Sequence, residues 1–327
     1  MPITRIDIPP DVRRIVKIIL ADPRGFCAGV NRAIQSLERA LDLFGAPIYV
    51  YHEIVHNTWV VRSFHERGVI FVNDIEEVPK KAYLLYSAHG VSPAIRAQAE
   101  KRRLKTIDAT CPIVTSLHER AIRLAHDEYE ILLIGHEGHD EVVGMMGEAP
   151  DRITLISSEE DVVRAAKSIS PDARVAFLMQ TTLSMDETEK IVACMQKHFP
   201  SLSEFRSGDV CYATRNRQLV VRELAPESDV VLVVGSTNSS NSRRLAELAS
   251  LQGVKAYLVD GPDEIDCQHW LDEDSVITVT AGASAPEQVV RACIEKLLDA
   301  FPGSTIKTQG PGEHKVEFPP PGELREM

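Results

Sequence analysis

Three cysteines of this 327-residue chain share a setting that could bind a metal. Cys27, Cys111 and Cys211 each follow a strand-like segment and precede a helix-like one. Thiolates can bind iron, zinc or copper, and three of them without a local fourth ligand favour an iron–sulfur cluster with one open iron. The alternative is that each thiol is a small buried hydrophobe. The setting that all three share favours the metal site.

The other three cysteines add no second metal motif. No CxxC pair occurs, which excludes a zinc ribbon and a thioredoxin-like motif, and six cysteines are too few for a disulfide scaffold. Cys194 and Cys293 lie on the apolar stripes of predicted helices, so we expect them to pack in a core. Cys267 lies in a polar stretch without a matching partner, and we do not expect it to be a ligand.

Residues 135–141, Gly-His-Glu-Gly-His-Asp-Glu, form a cluster of titratable groups. A glutamate beside a histidine can deliver a proton through a chain of hydrogen bonds, and the alternative is a solvated loop. A zincin helix is excluded because its HExxH pattern needs histidines four positions apart, whereas His136 and His139 are three apart.

Residues 236–242, Ser-Thr-Asn-Ser-Ser-Asn-Ser, are suited to an anion. They offer hydroxyls, amides and backbone N–H groups at a predicted helix N-terminus, where a phosphate group binds well. The alternative is an ordinary capped helix start. His56, His89 and Ser284 follow equivalent predicted strands, and together with this segment they favour an oxyanion pocket.

The elements that position these residues alternate between strands and helices. Short Val-, Ile- and Leu-rich runs predict buried parallel strands at residues 16–21, 48–51, 83–86, 131–134, 175–179, 230–234, 256–259 and 276–280. Apolar residues spaced by three and four predict helices that include residues 31–44, 188–199, 242–251 and 286–298. The sequence therefore predicts an α/β fold with mostly parallel sheets.

An internal repeat organises these elements into three pseudo-equivalent units. The chain advances 28 or 29 positions from each cysteine to a polar residue after the next strand: Cys27 to His56, Cys111 to His139 and Cys211 to Ser239. We predict units at residues 15–111, 112–208 and 209–301, an N-terminal extension at 1–14 and a C-terminal tail at 302–327. Ligands bind at the carboxyl ends of parallel strands, so three units around one centre predict a metal site beside a polar pocket.

Composition excludes several classes of function. The 36 Lys and Arg residues against 48 Asp and Glu residues give a net charge of −12, which disfavours binding to nucleic acid or to an anionic membrane surface. The apolar runs are far shorter than a membrane helix, and no signal peptide is visible, so we expect a cytoplasmic protein. No GxGxxG motif occurs at a strand-to-helix turn, so electrons for a redox reaction would come from outside.

The motifs together resemble the IspH or LytB family of 4-hydroxy-3-methylbut-2-enyl diphosphate reductases. In order they are GFCAGV, VHN, SAHG, DATCP, GHxGHxEVxG, QTTLS, CYATxNRQ, GSxNSSNS and TAGASAP, and they cover about residues 17–320. The resemblance implies three α/β units around a central [4Fe–4S] cluster. It also implies reductive removal of the hydroxyl from an allylic diphosphate to give isopentenyl and dimethylallyl diphosphate, the last step of the non-mevalonate isoprenoid pathway. The implied electron donor is a small ferredoxin- or flavodoxin-like protein.

The resemblance also implies residue roles. Cys27, Cys111 and Cys211 are similar to the cluster ligands and Glu141 to the proton source, with Thr181 holding the hydroxyl and the carboxyl in register. His139 relays the proton or contacts the diphosphate. The diphosphate clamp implied by the family consists of His56, His89, Ser239, Ser240, Asn241 and Ser284. Asp140 departs from the family, in which proline commonly stands there, and adds a charge beside Glu141.

Two other functions fit the same residues. One is a diphosphate-binding protein or hydrolase in which the cysteines hold zinc and Glu141 is the base for a metal-bound water. The other is a regulator in which a labile cluster senses redox state without turnover. Metal content separates the hydrolase from the reductase. A Glu141→Gln variant that binds diphosphate without activity separates an enzyme from a sensor.

Overall fold

The computed structural model describes residues 15–202, 210–272 and 274–325. The strands are β1 (Lys17–Ala21), β2 (Ile48–Tyr51), β3 (Val69–Val72), β4 (Tyr83–Tyr86), β5 (Lys105–Asp108), β6 (Glu130–Ile134), β7 (Ile153–Ile156), β8 (Val175–Met179), β9 (Val230–Val234), β10 (Lys255–Val259), β11 (Val276–Ala281) and β12 (Thr305–Gln309). The helices are α1 (Ala28–Phe44), α2 (Thr58–Glu66), α3 (Pro93–Lys101), α4 (Pro112–His126), α5 (Asp140–Met146), α6 (Glu159–Ser168), α7 (Met185–His198), α8 (Tyr212–Leu224), α9 (Ser240–Leu251) and α10 (Glu287–Ala300). Short 3-10 helices cover Ile75–Glu77, Ala225–Glu227, Pro262–Glu264 and Gly322–Leu324.

The strands form three sheets in which every pairing is parallel. The strand orders are β10-β9-β11-β1-β12, β3-β2-β4-β5 and β7-β6-β8. The predicted α/β class with parallel sheets is confirmed, and all eight predicted strands are present. Central strands such as β9 are buried along their whole length, as expected where helices cover both faces of a parallel sheet.

The three sheets do not consist of three consecutive parts of the chain. β1, from the first predicted unit, pairs with β11 on one side and β12 on the other, so it lies in the sheet of the third unit. The segment predicted as a tail therefore contributes a strand, because β12 satisfies the backbone groups that β1 would otherwise leave open at a sheet edge. Leu324, near the end of that segment, is fully buried. The unit boundaries stay a prediction; the extension at 1–14 and the boundary after residue 208 lie outside the described residues.

Amphipathic helices cover the sheets. On α1 the residues Val30, Ala33, Leu37 and Ala40 recur at helical spacing and are buried against the sheet that contains β2. The helix ends at Gly45, whose positive φ of 71° suits glycine and whose N–H donates to the Leu41 carbonyl. No helix in the described ranges is long and apolar enough to cross a membrane.

Candidate active site and metal centre

Each of the three predicted cysteine ligands is the N-cap residue of a helix. Cys27 precedes α1, Cys111 precedes α4 and Cys211 precedes α8, and all three line one cavity. Backbone N–H groups of the first turn hydrogen-bond to the thiols of Cys111 and Cys211. Such donors and the positive end of the helix dipole stabilise a thiolate or an anionic cluster.

The sulfur environment fits a metal centre. A Cβ added to Gly29 would lie 2.5 Å from the Cys111 Sγ and 3.9 Å from the Cys27 Sγ, so the two sulfurs flank the same glycine. Burial, and next the charge of Cys27, raise the pKa of Cys111 to about 12 and that of Cys211 to about 11. Without a metal the thiols of Cys111 and Cys211 are therefore protonated at neutral pH, and a cationic iron centre would reverse that preference. A set of three sulfur donors suits an iron–sulfur cluster or zinc.

Glu141, in the first turn of α5, is a buried carboxyl held from two sides by Thr181. The Thr181 backbone N–H donates to Glu141 Oε1 at 2.7 Å, and the Thr181 hydroxyl donates to Oε2 at 2.8 Å. Only 2% of Glu141 is exposed. Burial raises its pKa to about 7, although both hydrogen bonds from Thr181 act in the opposite direction. Glu141 can therefore carry a proton at neutral pH and donate it inside the cavity.

His139 caps the helix that carries Glu141. Its Nδ1 accepts a hydrogen bond from the Glu141 backbone N–H at 3.2 Å, which leaves the proton of a neutral ring on Nε2. Burial, and next the neighbouring His56, lower the pKa of His139 to about 4, so the ring is neutral at physiological pH. His139 is therefore a fixed neutral donor that lines the cavity.

Two more histidines stack beside it. The rings of His56 and His89 are 4.1 Å apart at their centroids with an interplanar angle of 16°. His139 meets both rings edge-on, at 5.5 Å from His56 and 6.0 Å from His89. The Ser284 hydroxyl donates to the His56 carbonyl at 2.9 Å, which ties the loop after β11 to the loop after β2. The three imidazole rings therefore lie together on one side of the cavity.

The start of α9 brings unsatisfied polar groups to the same cavity. Ser239 is the N-cap, and its hydroxyl accepts from the Ser242 backbone N–H. Ser240 and Asn241 are 3% and 4% exposed, yet the Ser240 hydroxyl and both amide atoms of Asn241 have no hydrogen-bond partner among the described residues. Buried polar atoms are nearly always paired, so these atoms indicate a ligand with several oxygens. The N-terminus of α9 favours an anionic one.

All the predicted site residues line this cavity, although their roles stay predictions. They are Cys27, His56, His89, Cys111, His139, Glu141, Thr181, Cys211, Ser239, Ser240, Asn241 and Ser284. Thr182 and Thr214 also line the cavity, but the sequence analysis gave them no role. Thr182 could have been identified by its position next to Thr181, and Thr214 by its position one helical turn after Cys211. Cys194 and Cys293 are buried in hydrophobic cores, which confirms their predicted packing role.

His52 is a further residue that the sequence prediction missed. It stacks on Tyr51 and is linked to Asp140 by a 2.6 Å hydrogen bond between Nδ1 and Oδ1. The hydrogen bond with Asp140 outweighs burial and raises the pKa of His52. The sequence feature that could have identified His52 is its position directly after β2, four residues before His56.

The fold and the site define an α/β protein with three parallel sheets, a three-cysteine centre, a buried acid and an anion pocket. The sequence places it more narrowly. The chain belongs to the LytB protein family, which matches residues 18–298.

Similar sequences and a similar solved structure support the same family. Over 310 residues the chain is 52% identical to the 4-hydroxy-3-methylbut-2-enyl diphosphate reductase of Rhodopirellula baltica, covering 95% of this chain and 96% of that one. It is 50% identical over 311 residues to the enzyme of the same name from Histophilus somni, covering 95% and 98% of the two chains. The structure of the E-1-hydroxy-2-methyl-but-2-enyl-4-diphosphate reductase from Plasmodium falciparum superposes with a TM-score of 0.89 at 36% identity, covering 95% of this chain and 97% of that one.

Proposed function

We propose that this chain is a 4-hydroxy-3-methylbut-2-enyl diphosphate reductase that forms isopentenyl and dimethylallyl diphosphate. The observation that carries the proposal is one cavity that combines three cysteine thiols, a protonatable buried Glu141, and polar atoms of Ser240 and Asn241 that no described residue pairs. Reductases of this name are about 50% identical over nearly the whole chain, which supports the assignment.

The proposed cofactor is a [4Fe–4S] cluster held by Cys27, Cys111 and Cys211. When bound, the cluster supplies electrons one at a time and Lewis acidity at its open iron. The reaction breaks the C–O bond of the allylic alcohol and consumes two electrons and two protons, with water as the second product. The helix N-termini that begin after the three cysteines favour the negative charge of the thiolates.

The chain's own residues hold the diphosphate at one end of the cavity. The Ser240 hydroxyl and the Asn241 amide provide buried groups without a hydrogen-bond partner in the described part of the chain, and the first turn of α9 adds backbone N–H donors. His139 contributes a neutral ring whose Nε2 carries the proton. The remaining proposed contacts come from His56, His89, Ser239 and Ser284. These contacts fix the substrate so that its hydroxyl faces Glu141.

Glu141 delivers the proton that the departing hydroxyl needs. Its pKa of about 7 keeps much of the carboxyl protonated at neutral pH, and the two contacts with Thr181 fix its orientation. Burial keeps water from the acid, so its proton goes to the bound substrate. Thr181 also lies within reach of a substrate hydroxyl that contacts Glu141.

The electron donor and the cellular location belong to the proposal. We propose an external ferredoxin- or flavodoxin-like protein as the donor, because the chain has no GxGxxG motif at a strand-to-helix turn. We propose a cytoplasmic location, because the apolar runs of the sequence are too short for a membrane helix.

The proposal is tested on anaerobically purified protein by measuring iron and acid-labile sulfide per chain, and turnover of the allylic diphosphate with a chemical reductant. We expect about four irons per chain and conversion of the substrate to both products. Glu141→Gln should retain the metal and bind inorganic diphosphate, but lose at least about 100-fold in turnover because the proton donor is removed.

The matched control is Glu137→Gln, since Glu137 is an exposed carboxyl on the same loop. It should keep wild-type turnover. Zinc in place of iron and sulfide after anaerobic purification would contradict the proposal and favour the hydrolase. A loaded wild-type protein that binds diphosphate without turning the substrate over would favour the sensor.

A further inference from the structure

Asp140, the first residue of α5, places a carboxylate among three histidines. Its Oδ1 is 2.6 Å from the Nδ1 of His52. Its Oδ2 lies 3.8 Å from the Nε2 of His56 and 3.9 Å from the Nδ1 of His89. The side chain is 17% exposed, so water screens these charges only in part. Two of the three histidines line the cavity that holds the proposed diphosphate site.

The Asp140 carboxylate is ionised at physiological pH. Burial by itself would raise its pKa, but the hydrogen bond from His52 and the nearby His89 and His56 rings lower it to about 2. The distances from Oδ2 to His56 and His89 exceed those of a hydrogen bond. The carboxylate therefore acts on both rings through space. Burial lowers the pKa of His89 well below its ordinary value, so this ring is neutral and the carboxylate attracts it as a dipole. A closer ligand oxygen can bond to His56 Nε2 and can replace the long 3.4 Å contact between His89 Nδ1 and the Ser87 hydroxyl.

A diphosphate group bound to His56 and His89 would lie near this carboxylate. Like charges a few ångströms apart in a partly buried site repel strongly. Glu53 adds a second carboxylate, 3.2 Å from the His56 Nδ1, but it is more exposed than Asp140 and also accepts a hydrogen bond from the Asn238 amide. Asp140 is therefore the carboxylate that faces both stacked rings.

We propose that Asp140 is a built-in counter-anion of the diphosphate clamp, which competes with the diphosphate for His56 and His89 and so lowers its affinity. The inference rests on the proposed function, because it assigns the diphosphate to these two histidines. In that reaction the substrate and both products carry a diphosphate, so a clamp without an opposing charge would retain its products. Asp140 is thus an affinity-determining residue of the site.

The test measures binding of inorganic diphosphate to the cluster-loaded protein by isothermal titration calorimetry at pH 7.5 in the presence of EDTA. Asp140→Asn keeps the shape and removes the charge, and we expect its dissociation constant to fall about tenfold. Asp140→Glu keeps the charge, and Glu137→Gln removes an exposed charge from the same loop; both should stay within about twofold of wild type. Circular dichroism and iron content establish that each variant is folded and loaded.

Unchanged or weaker diphosphate binding by folded Asp140→Asn would overturn the inference. His56, His89 and Asp140 place one ligand atom each within 4.8 Å of one another, so a divalent cation is the rival occupant. Repeating the titration with Mn²⁺ in place of EDTA tests it. Tighter diphosphate binding with Mn²⁺ in wild type but not in Asp140→Asn would overturn the counter-anion and assign a metal site.

Failure of this inference is distinguishable from failure of the proposed function. Wild-type turnover of the allylic diphosphate together with unchanged binding by Asp140→Asn would overturn the counter-anion alone. Tighter binding by Asp140→Asn without any wild-type turnover would support the counter-anion of an anion site and overturn the reductase.

Discussion

Two neighbouring carboxyl groups of the site have opposite protonation states. Burial raises the pKa of Glu141 to about 7, whereas Asp140, with His52 and two other histidines around it, has a pKa of about 2. Adjacent residues at the start of one helix thus become an acid and a fixed anion, because Glu141 faces the buried Thr181 and Asp140 faces imidazoles. Because the two pKa values differ, Glu141 can donate a proton while Asp140 next to it stays ionised.

Thr181→Val should shift the pH dependence of the reaction. The Thr181 hydroxyl donates to Glu141 Oε2 and so lowers the pKa of that carboxyl; its removal raises the pKa further above the ordinary value. The protonated acid then persists to higher pH, so the alkaline limb of the kcat/KM profile moves upward from about 7. We also expect kcat at pH 6 to fall about tenfold, because one of the two contacts that orient the acid is lost.

The control is Thr188→Val, the same change at another buried threonine, whose hydroxyl bonds to the carbonyls of Ser184 and Met185 outside the cavity. Its pH profile should match that of wild type. An alkaline limb of Thr181→Val that stays in place or moves to lower pH would contradict the role given to the hydroxyl.

At the scale of elements, the site is built from helix N-termini. The cavity is lined by the N-cap residues of α1, α4, α8, α5 and α9, which are Cys27, Cys111, Cys211, His139 and Ser239. Each helix directs its first-turn backbone N–H groups and the positive end of its dipole toward the site. A protein with a net charge of −12 can thereby bind an anion without a cluster of lysines or arginines.

Gly29→Ala should impair metal binding. A Cβ at this position of α1 would lie 2.5 Å from the Cys111 Sγ and 3.1 Å from its Cβ, so the first turn of α1 or the start of α4 must shift. We expect the iron content of the purified protein to fall below half of the wild-type value, measured beside sulfide and visible absorbance.

Gly261→Ala is the matched control, since its added Cβ would meet no atom within 4 Å and its φ of −175° is ordinary extended backbone. It should bind as much iron as wild type. An iron content of Gly29→Ala equal to that of wild type would contradict the prediction, because the cysteines would then bind iron despite the shift of a helix start.

Every central strand was predicted, whereas only two of the six edge strands, β8 and β10, were. The four strands without a prediction, β3, β5, β7 and β12, all lie at the edge of a sheet. An edge strand has one strand partner and need not be apolar: Thr305–Gln309 is almost fully exposed and contains Lys307. The predicted starts of α1, α7 and α9 were two or three residues late. In α1 and α9 the first turn contains small or polar residues that line the cavity, namely Gly29, Ser240 and Asn241, and these break the apolar spacing. In α7 the charged Asp186 and Glu187 of the first turn break it.

At the scale of the whole molecule, Arg217 connects distant parts of the chain near Cys27 and Cys211. It is 1% exposed, and its guanidinium donates to the Gly25 carbonyl before Cys27, to the Ala213 carbonyl on α8 and to the Glu313 carboxylate. The C-terminal segment thus supplies the counter-charge of a buried arginine. A buried charge of this kind is stable only when it is paired.

Glu313→Ala should destabilise the protein. Arg217 would remain buried without its carboxylate, and we expect the free energy of unfolding to fall by about 2 kcal/mol. The measurement is urea or thermal unfolding of the cluster-loaded protein. Glu317→Ala removes a fully exposed carboxylate that pairs with Lys315 on the surface and should leave the unfolding midpoint unchanged. Equal midpoints for wild type and Glu313→Ala would show that Arg217 does not depend on this partner.

The sequence by itself determined the α/β class, the central strands and most of the residues that meet at the site. Parallel strands end at a common edge, so cysteines, histidines and serines that follow such strands are brought together whatever the finer geometry. The tertiary structure alone decided that β1 and β12 lie in one sheet with β11, that His52 bonds to Asp140 and that Arg217 bonds to the Gly25 carbonyl. It also decided that Asp140 is charged beside a protonatable Glu141. The physical reason is that strand partners and pKa values depend on burial and on residues far away in the chain, which local sequence does not encode.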